Sequence, residues 1–399
     1  MPLSRKEIVV GVTGGIAAYK ACEIVRELRN AGANVRTILT ASGARFITPL
    51  TLQTLSKNAV VMDLFDLISE ADIGHISLAQ RADLLLIAPA TANVLGKIRG
   101  GIADDMLSTV VTATAAPVVI APAMNTQMYA SAAVRENIAV LKSRGFLFVE
   151  PDEGELACGT FGPGRLAAVG KIVEMARIAL TEKMLQGKKI VVSAGPTLEP
   201  IDPVRHLSNR ASGKMGYAMA RAACRFGADV TLVSGPTALP DPFFVKTVRI
   251  RTAEEMQAAV VRESADADAV VMCAAVADFR TRSISPAKIR KDGGGLTLDL
   301  AVAPDILAGL GRDKGSRILV GFAAETGDLA QNAVAKMRNK NLDAIVANDV
   351  TRTDIGFESD DNEVRIFFSD GEVRDLPLAT KEGIAVGVWV TLCGKLFPR

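Results

Sequence analysis

At 399 residues the chain exceeds the ~100 to 200 residues of an ordinary single domain, so two domains are expected. A formal charge of +2, from 46 basic and 44 acidic side chains, offers no basic stripe for nucleic acid or an acidic membrane surface. Five scattered cysteines without a CxxC pair, and only two histidines, argue against a zinc site or a disulfide framework and fit a reducing compartment.

The opening MPLSRKEIVVGVTGG holds an apolar run too short for a signal peptide, and no stretch approaches the ~20 apolar residues of a membrane helix. A cytoplasmic protein is expected. Residues 7–13 are β-branched and apolar, Gly14 and Gly15 break the run, residues 16–31 carry helical spacing, and 35–40 again read as strand. Apolar runs at 84–88 and 118–121 lack period-two alternation, as parallel strands buried on both faces do. An amphipathic helix is predicted over 171–185, and Gln186, Gly187 and Lys188 mark a boundary that divides the chain into domains 1–186 and 187–399.

The same grammar then repeats, with a strand at 189–193, a helix at 213–227, a strand at 229–234, and further apolar runs at 269–273, 318–322 and 344–347. Over 349–376 charged residues alternate with short β-type runs. The run 363–368, followed by Ser369, Asp370 and Gly371, predicts a hairpin in a small antiparallel appendage. The expected fold class is α/β, with two Rossmann-like domains and that β appendage on the second.

In the first half GVTGGIAAYK lacks the GxGxxG fingerprint, but Gly11, Gly14 and Gly15 precede a helix opened by small residues, whose amides can face an anion or a ring. Three strand ends are small and polar: Thr40 to Ser42, APATAN at 88–93, and APAMN at 121–125. They describe a flat, small-walled pocket beyond the carboxyl ends of the strands. With the half's lone histidine, His75, and with ACGTFGPGR further on, the ordered set TGGIAAYK, APATAN and PAMNTQM resembles the flavoprotein family of cysteine decarboxylases.

That resemblance implies bound FMN and a substrate, 4'-phosphopantothenoylcysteine, whose terminal carboxylate leaves as CO2. It implies FMN contacts from Gly14, Gly15, Ile16, Thr40, Ser42, Ala88, Thr91, Ser108, Thr109 and Met124. His75 is implied in positioning or deprotonation, Asn125 in holding the carboxylate, and Cys158 in giving the last proton. The residue types suit these roles, because imidazole titrates near neutrality, a carboxamide donates without ionising, and a thiol among Gly154, Gly159, Gly162 and Gly164 can ride a flap. Direct loss of CO2 from a cysteine amide leaves a carbanion without an electron sink; prior oxidation of the thiol to a thioaldehyde by a flavin provides one. One departure is Tyr129, where the pattern commonly has tryptophan.

In the second half no GxxxxGK[ST] loop exists, since Gly213 and Lys214 are followed by Met215, so a P-loop ATPase is not expected. Instead SAGPTLEPIDPVRHLSNRASGKMG forms a long polar connection that places Gly195, Asn209, Arg210, Ser212 and Gly213 between strand and helix. With AAVADF, the basic Lys288, Arg290 and Lys291, the turn Ala303-Pro304-Asp305, GFAAET, and the i, i+4 pair Lys336 and Lys340, it resembles the 4'-phosphopantothenate-cysteine ligase family over 188–354.

The resemblance implies activation of the pantothenate carboxylate on CTP with Mg2+ or Mn2+, an acyl-cytidylate, loss of pyrophosphate, and displacement by the amine of cysteine. Asn209 is implied in binding the acyl-nucleotide. The nucleotide is implied to touch Cys273, Ala274, Ala275, Asp278, Lys288, Ala303, Pro304, Asp305, Ile306, Leu307, Phe322, Lys336 and Lys340. The choice of cytosine over adenine rests on resemblance alone. A homo-oligomer of trimeric flavin halves and dimeric ligase halves is implied too. Two other classes are weighed: a flavin-binding regulatory subunit, disfavoured because His75, Asn125 and Cys158 are all present, and a nicotinamide reductase, which lacks the glycine spacing.

Overall fold

The apolar runs without alternation become the inner strands of two parallel sheets, one in each half of the chain. The computed structural model describes residues 3–64, 74–156, 159–291, 295–325, 327–349 and 359–397, in two units, Met1–Thr181 and Glu182–Arg399. Among the described residues no helix is long and apolar enough to cross a membrane.

The first unit opens with β1 (Glu7–Val12), a 3-10 turn (Ile16–Lys20), α1 (Ala21–Asn30), β2 (Asn34–Leu39), α2 (Pro49–Ser56) and β3 (Val60–Val61). It continues through α3 (Gly74–Arg81), β4 (Leu84–Ala90), α4 (Ala92–Gly100), α5 (Met106–Ala113), β5 (Val118–Pro122), α6 (Thr126–Ala130) and α7 (Ala132–Ser143). It ends with β6 (Leu147–Phe148), a hairpin of β7 (Asp152–Glu155) and β8 (Phe161–Arg165), and α8 (Val169–Leu180). Strands β1 to β6 form a six-stranded parallel sheet in the order β3-β2-β1-β4-β5-β6. Every residue of β4 is buried, which is why its sequence shows no alternation. Alternate strand residues feed two cores, Val10 and Leu86 with Ile24 on one face, Val9 and Leu85 with Val110 on the other.

The helix expected over 16–31 is divided. Gly15 enters extended and the first turn closes on the tighter bond from the Ala18 amide to the Gly15 carbonyl, so regular α-helix begins only at Ala21. The helix expected over 171–185 ends at Leu180, where Thr181 turns extended. The residues beyond it pack with the second unit: the Leu185 amide donates to the Phe226 carbonyl and Lys183 Nζ to the Arg225 carbonyl.

The second unit runs β9 (Lys189–Ala194), the short hairpin β10 (Leu198–Pro200) and β11 (His206–Ser208), α9 (Lys214–Arg225), β12 (Asp229–Ser234), β13 (Lys246–Arg249) and α10 (Ala253–Glu263). Then follow β14 (Ala269–Met272), β15 (Phe279–Thr281), β16 (Leu300–Val302), α11 (Ile306–Arg312), β17 (Ile318–Glu325), α12 (Leu329–Asn339) and β18 (Ala344–Asp349). Last come β19 (Asp361–Phe368), β20 (Val373–Thr380) and α13 (Lys381–Leu396). Its eight-stranded sheet has the order β13-β12-β9-β14-β17-β18-β19-β20, parallel as far as β18.

The antiparallel hairpin is present, with its turn at Ser369 to Gly371, but it is no separate appendage. Strand β19 pairs antiparallel with β18 and continues the main sheet, because Ile366 and Phe368 are buried in the same core as β18. Helix α13 then packs on α9, with Trp389 fully buried and its Nε1 donating to the Met219 carbonyl at 2.9 Å. Trp389→Ala is expected to cost the second unit about 3–5 kcal/mol through the cavity it leaves, read as a lower denaturant midpoint at unchanged slope.

Candidate functional sites

In both sheets the strand order reverses next to the first strand, and such a switch point opens a crevice at the carboxyl ends of the strands. In the first unit the switch lies between β1 and β4. The Thr13 hydroxyl donates to the Pro89 carbonyl at 2.7 Å and accepts from the Thr91 amide at 3.2 Å, tying the two exits together. Gly14 lies so close to the exit of β2 that a Cβ there would fall 2.3 Å from Ser42 Cβ. Ile16 and Tyr19 are exposed beside this turn. A bare glycine turn, an apolar ledge and a rim of backbone amides suit a flat ring with a phosphate, so the residues fit a flavin.

The other predicted flavin contacts divide by position. Thr40 uses its hydroxyl within the turn, donating to the Val12 carbonyl and accepting from the Gly43 amide. Ala88 is fully buried. Ser108 is buried in a capping box with Asp105, and Thr109 donates to the Asp105 carbonyl at 2.8 Å, so both hydroxyls are spent in the first turn of α5. Met124 is half-buried at the exit of β5.

The β7–β8 hairpin lies against that exit. The Met124 amide donates to the Gly164 carbonyl at 3.0 Å, and Gly164, at φ 140°, leaves room for the Met124 carbonyl, which a Cβ would approach to 2.3 Å. Next to Met124, Asn125 caps α6, its Oδ1 accepting from the Gln127 amide at 2.8 Å. Cys158 falls outside the described residues, on the connection between β7 and β8. His75 sits on the first turn of α3, and its buried Nδ1 has no hydrogen-bond partner among the described residues. Tyr129 donates its hydroxyl to Glu150 Oε2 at 2.5 Å; burial and that carboxylate raise the phenol above its usual pKa and keep it protonated. Gly164→Ala is expected to displace the hairpin from Asn125 and to slow CO2 release by about 100-fold, measured by single-turnover decarboxylation.

In the second unit a cavity of 510 Å³ lies at the switch point between β9 and β14. Asn209 and every predicted nucleotide residue except Lys288 line it. The Asn209 amide donates to the Ala275 and Val276 carbonyls at 3.3 and 3.0 Å, and Ser193 Oγ accepts from the Cys273 and Ala274 amides. These bonds hold the exit of β14 open against the loop that carries Asn209. Burial pushes the Cys273 thiol up to about 12, so it is a neutral wall and no nucleophile. Asp305 caps α11 and pairs with Lys340 at 2.9 Å; against the push of burial, the Ala308 amide and the lysines hold its carboxyl below the usual range.

Lys288 is exposed and is not among the residues that line the cavity. Its segment is tied down by Asp202, whose carboxylate accepts from the Val204, Arg205 and Ile289 amides at 2.8, 2.8 and 3.1 Å. Four polar lining residues were not anticipated: Lys214, Asn348, Asn362 and Lys381. Lys214 was in view within SGKMG but read only as a failed P-loop, while Asn362 and Lys381 fall beyond the resembling stretch.

Residues 2–180 match the family described as Flavoprotein, and residues 185–394 match the DNA/pantothenate metabolism flavoprotein C-terminal domain. The chain is 48% identical over 383 residues to the Coenzyme A biosynthesis bifunctional protein CoaBC of Bacillus subtilis (strain 168), covering 95% of this chain and 94% of that one. The chain belongs to the coenzyme A biosynthesis bifunctional protein family. The protein of that name from Escherichia coli (strain K12) is 49% identical over 387 residues, 96% of this chain and 95% of that one. Among solved structures, the C-terminal domain of such a bifunctional protein is 41% identical, covers 54% of this chain and 98% of its own, and has a TM-score of 0.47. Membership in the family makes the chain a bifunctional enzyme of coenzyme A synthesis, with a decarboxylase and a ligase activity.

Proposed function

We propose that the second unit joins cysteine to 4'-phosphopantothenate at the expense of CTP, and that the first unit, with FMN, decarboxylates the 4'-phosphopantothenoylcysteine so made. The observation that carries this is the pair of switch-point crevices in one chain, with Asn125 beside the glycine hairpin after β5 and Asn209 bonded to the exit of β14.

In the first site Gly14, Gly15, Ile16, Ser42 and Thr91 would hold the flavin. Bound FMN supplies the two-electron oxidation and later re-reduction that give the departing carboxylate its electron sink. Asn125, whose Oδ1 accepts from the Gln127 amide, would hold the substrate carboxylate without ionising. His75 offers a buried Nδ1 as the proton acceptor. Cys158 would return a proton to the product carbon.

In the ligase site Lys336 and Lys340 offset the charge that gathers on the α-phosphate when the carboxylate attacks, and Asn209 steadies the acyl-cytidylate. Among the described residues no three carboxylates, cysteines or histidines converge on a metal, so Mg2+ or Mn2+ would arrive with the triphosphate, near Asp278. Lys288 would join only when its segment leaves Asp202. The same reading implies a cytoplasmic homo-oligomer of trimeric flavin halves and dimeric ligase halves.

An absorbance spectrum, followed by incubation with 4'-phosphopantothenate, cysteine, CTP and Mg2+, tests both halves at once. Yellow protein that releases pyrophosphate and CO2 is the expected result. Yellow protein that releases neither supports the regulatory flavoprotein instead, and colourless protein that takes up no FMN overturns the first site.

A further inference from the structure

The ligase cavity draws cations from both faces of its sheet. Lys336 and Lys340 come from the face covered by α11 and α12, whereas Lys214 and Lys381 come from the opposite face, covered by α9 and α13. Lys214 is the first residue of α9 and Lys381 the first of α13, each where the helix macrodipole disfavours a cation. Lys381 is only 7% exposed, donates to the Ser359 carbonyl at 2.6 Å, and is lowered by burial and then by the Lys214 ammonium.

Among the described residues, Asp360 and Asp361 act on Lys381 in the opposite sense to Lys214. Asp360 pairs with Lys214 at 2.6 Å but is 86% exposed, so water screens it. Glu382, the acid in the first turn of α13, is occupied by Arg221 and Arg225 of α9. Two ammonium groups and two helix amino ends meet at one cavity wall, beside the Asn362 carboxamide.

We propose that Lys381 and Lys214 form a phosphate-binding subsite of the ligase cavity, on the sheet face opposite Lys336 and Lys340. The proposal rests on the ligase reading above. The ligand group is a phosphate dianion, carried either by the acyl substrate or by the nucleotide. Lys381 then serves affinity more than chemistry, because a phosphate distant from the reacting carboxylate is held alike in ground and transition states.

The test uses the full chain and measures pyrophosphate release. Lys381→Met is expected to raise one KM by about 10- to 100-fold with kcat little changed, and to weaken inhibition by inorganic phosphate by a similar factor. A higher KM for 4'-phosphopantothenate alone assigns the subsite to the acyl substrate, and a higher KM for CTP alone assigns it to the nucleotide. Lys381→Arg should recover most of the affinity. Lys214→Met, at a less buried position, should shift the same KM and guards against a folding defect in the first variant. Unchanged KM values in both methionine variants, or equal loss in Lys381→Arg and Lys381→Met, would overturn the subsite. Absence of pyrophosphate release by the unaltered enzyme would strike the ligase reading itself.

Discussion

Cys158→Ser is expected to oxidise and decarboxylate its substrate but to release an enethiol two hydrogens short of 4'-phosphopantetheine, with formation of the saturated product down by about 10²- to 10⁴-fold. The argument is one of acidity. A thiol yields its proton to a carbon centre far more readily than a serine hydroxyl, whereas the earlier steps ask nothing of this side chain. Serine differs from cysteine by one atom, so the variant is expected to lose the proton donor and little else. Mass spectrometry of the product decides the matter, and full turnover to the saturated thiol would sink the role.

Asn209→Ala is expected to slow amide formation by about 100-fold while pyrophosphate release continues, so that acyl-cytidylate accumulates or hydrolyses. Two losses coincide in this variant. The side chain that steadies the intermediate disappears, and so do its bonds to the Ala275 and Val276 carbonyls, which fix the exit of β14. Comparing pyrophosphate with amide product in one reaction separates activation from transfer; equal rates in variant and parent would refute the assignment.

The parallel strands were legible because burial on both faces strips them of alternation, as in β4 and β9. Helix α13 was not. Its sequence, KEGIAVGVWVTLCGKL, is apolar on nearly every side and carries glycines and β-branched residues, so neither periodicity nor propensity marks it as a helix. Tertiary burial of Trp389 and Leu392 against α9 makes it one. The hairpin of β10 and β11 was hidden in a polar connection for the opposite reason, since three-residue strands are too short to display a period.

Most of the ligase site was legible as motif, because the residues at the exits of β9 and β14 are contiguous runs of sequence, SAGPT and CAAVADF. Lys381 was not, for it reaches the cavity only through the packing of α13. The setting of Lys288 was not legible either: a basic cluster near a motif carries no sign of the Asp202 carboxylate that gathers the Val204, Arg205 and Ile289 amides beside it.

The bond from Trp389 to Met219 spans 170 residues of chain, and this has a bearing on the order of synthesis. Helix α9 leaves the ribosome with a face of Tyr217, Met219, Ala220 and Ala223 for which part of the covering partner has not yet been made. At ~5–20 residues per second that face waits roughly ten seconds or more, long enough for chaperones to engage it or for neighbouring nascent chains to find it. The flavoprotein unit, ending at Thr181, can finish folding while α9 still waits for α13.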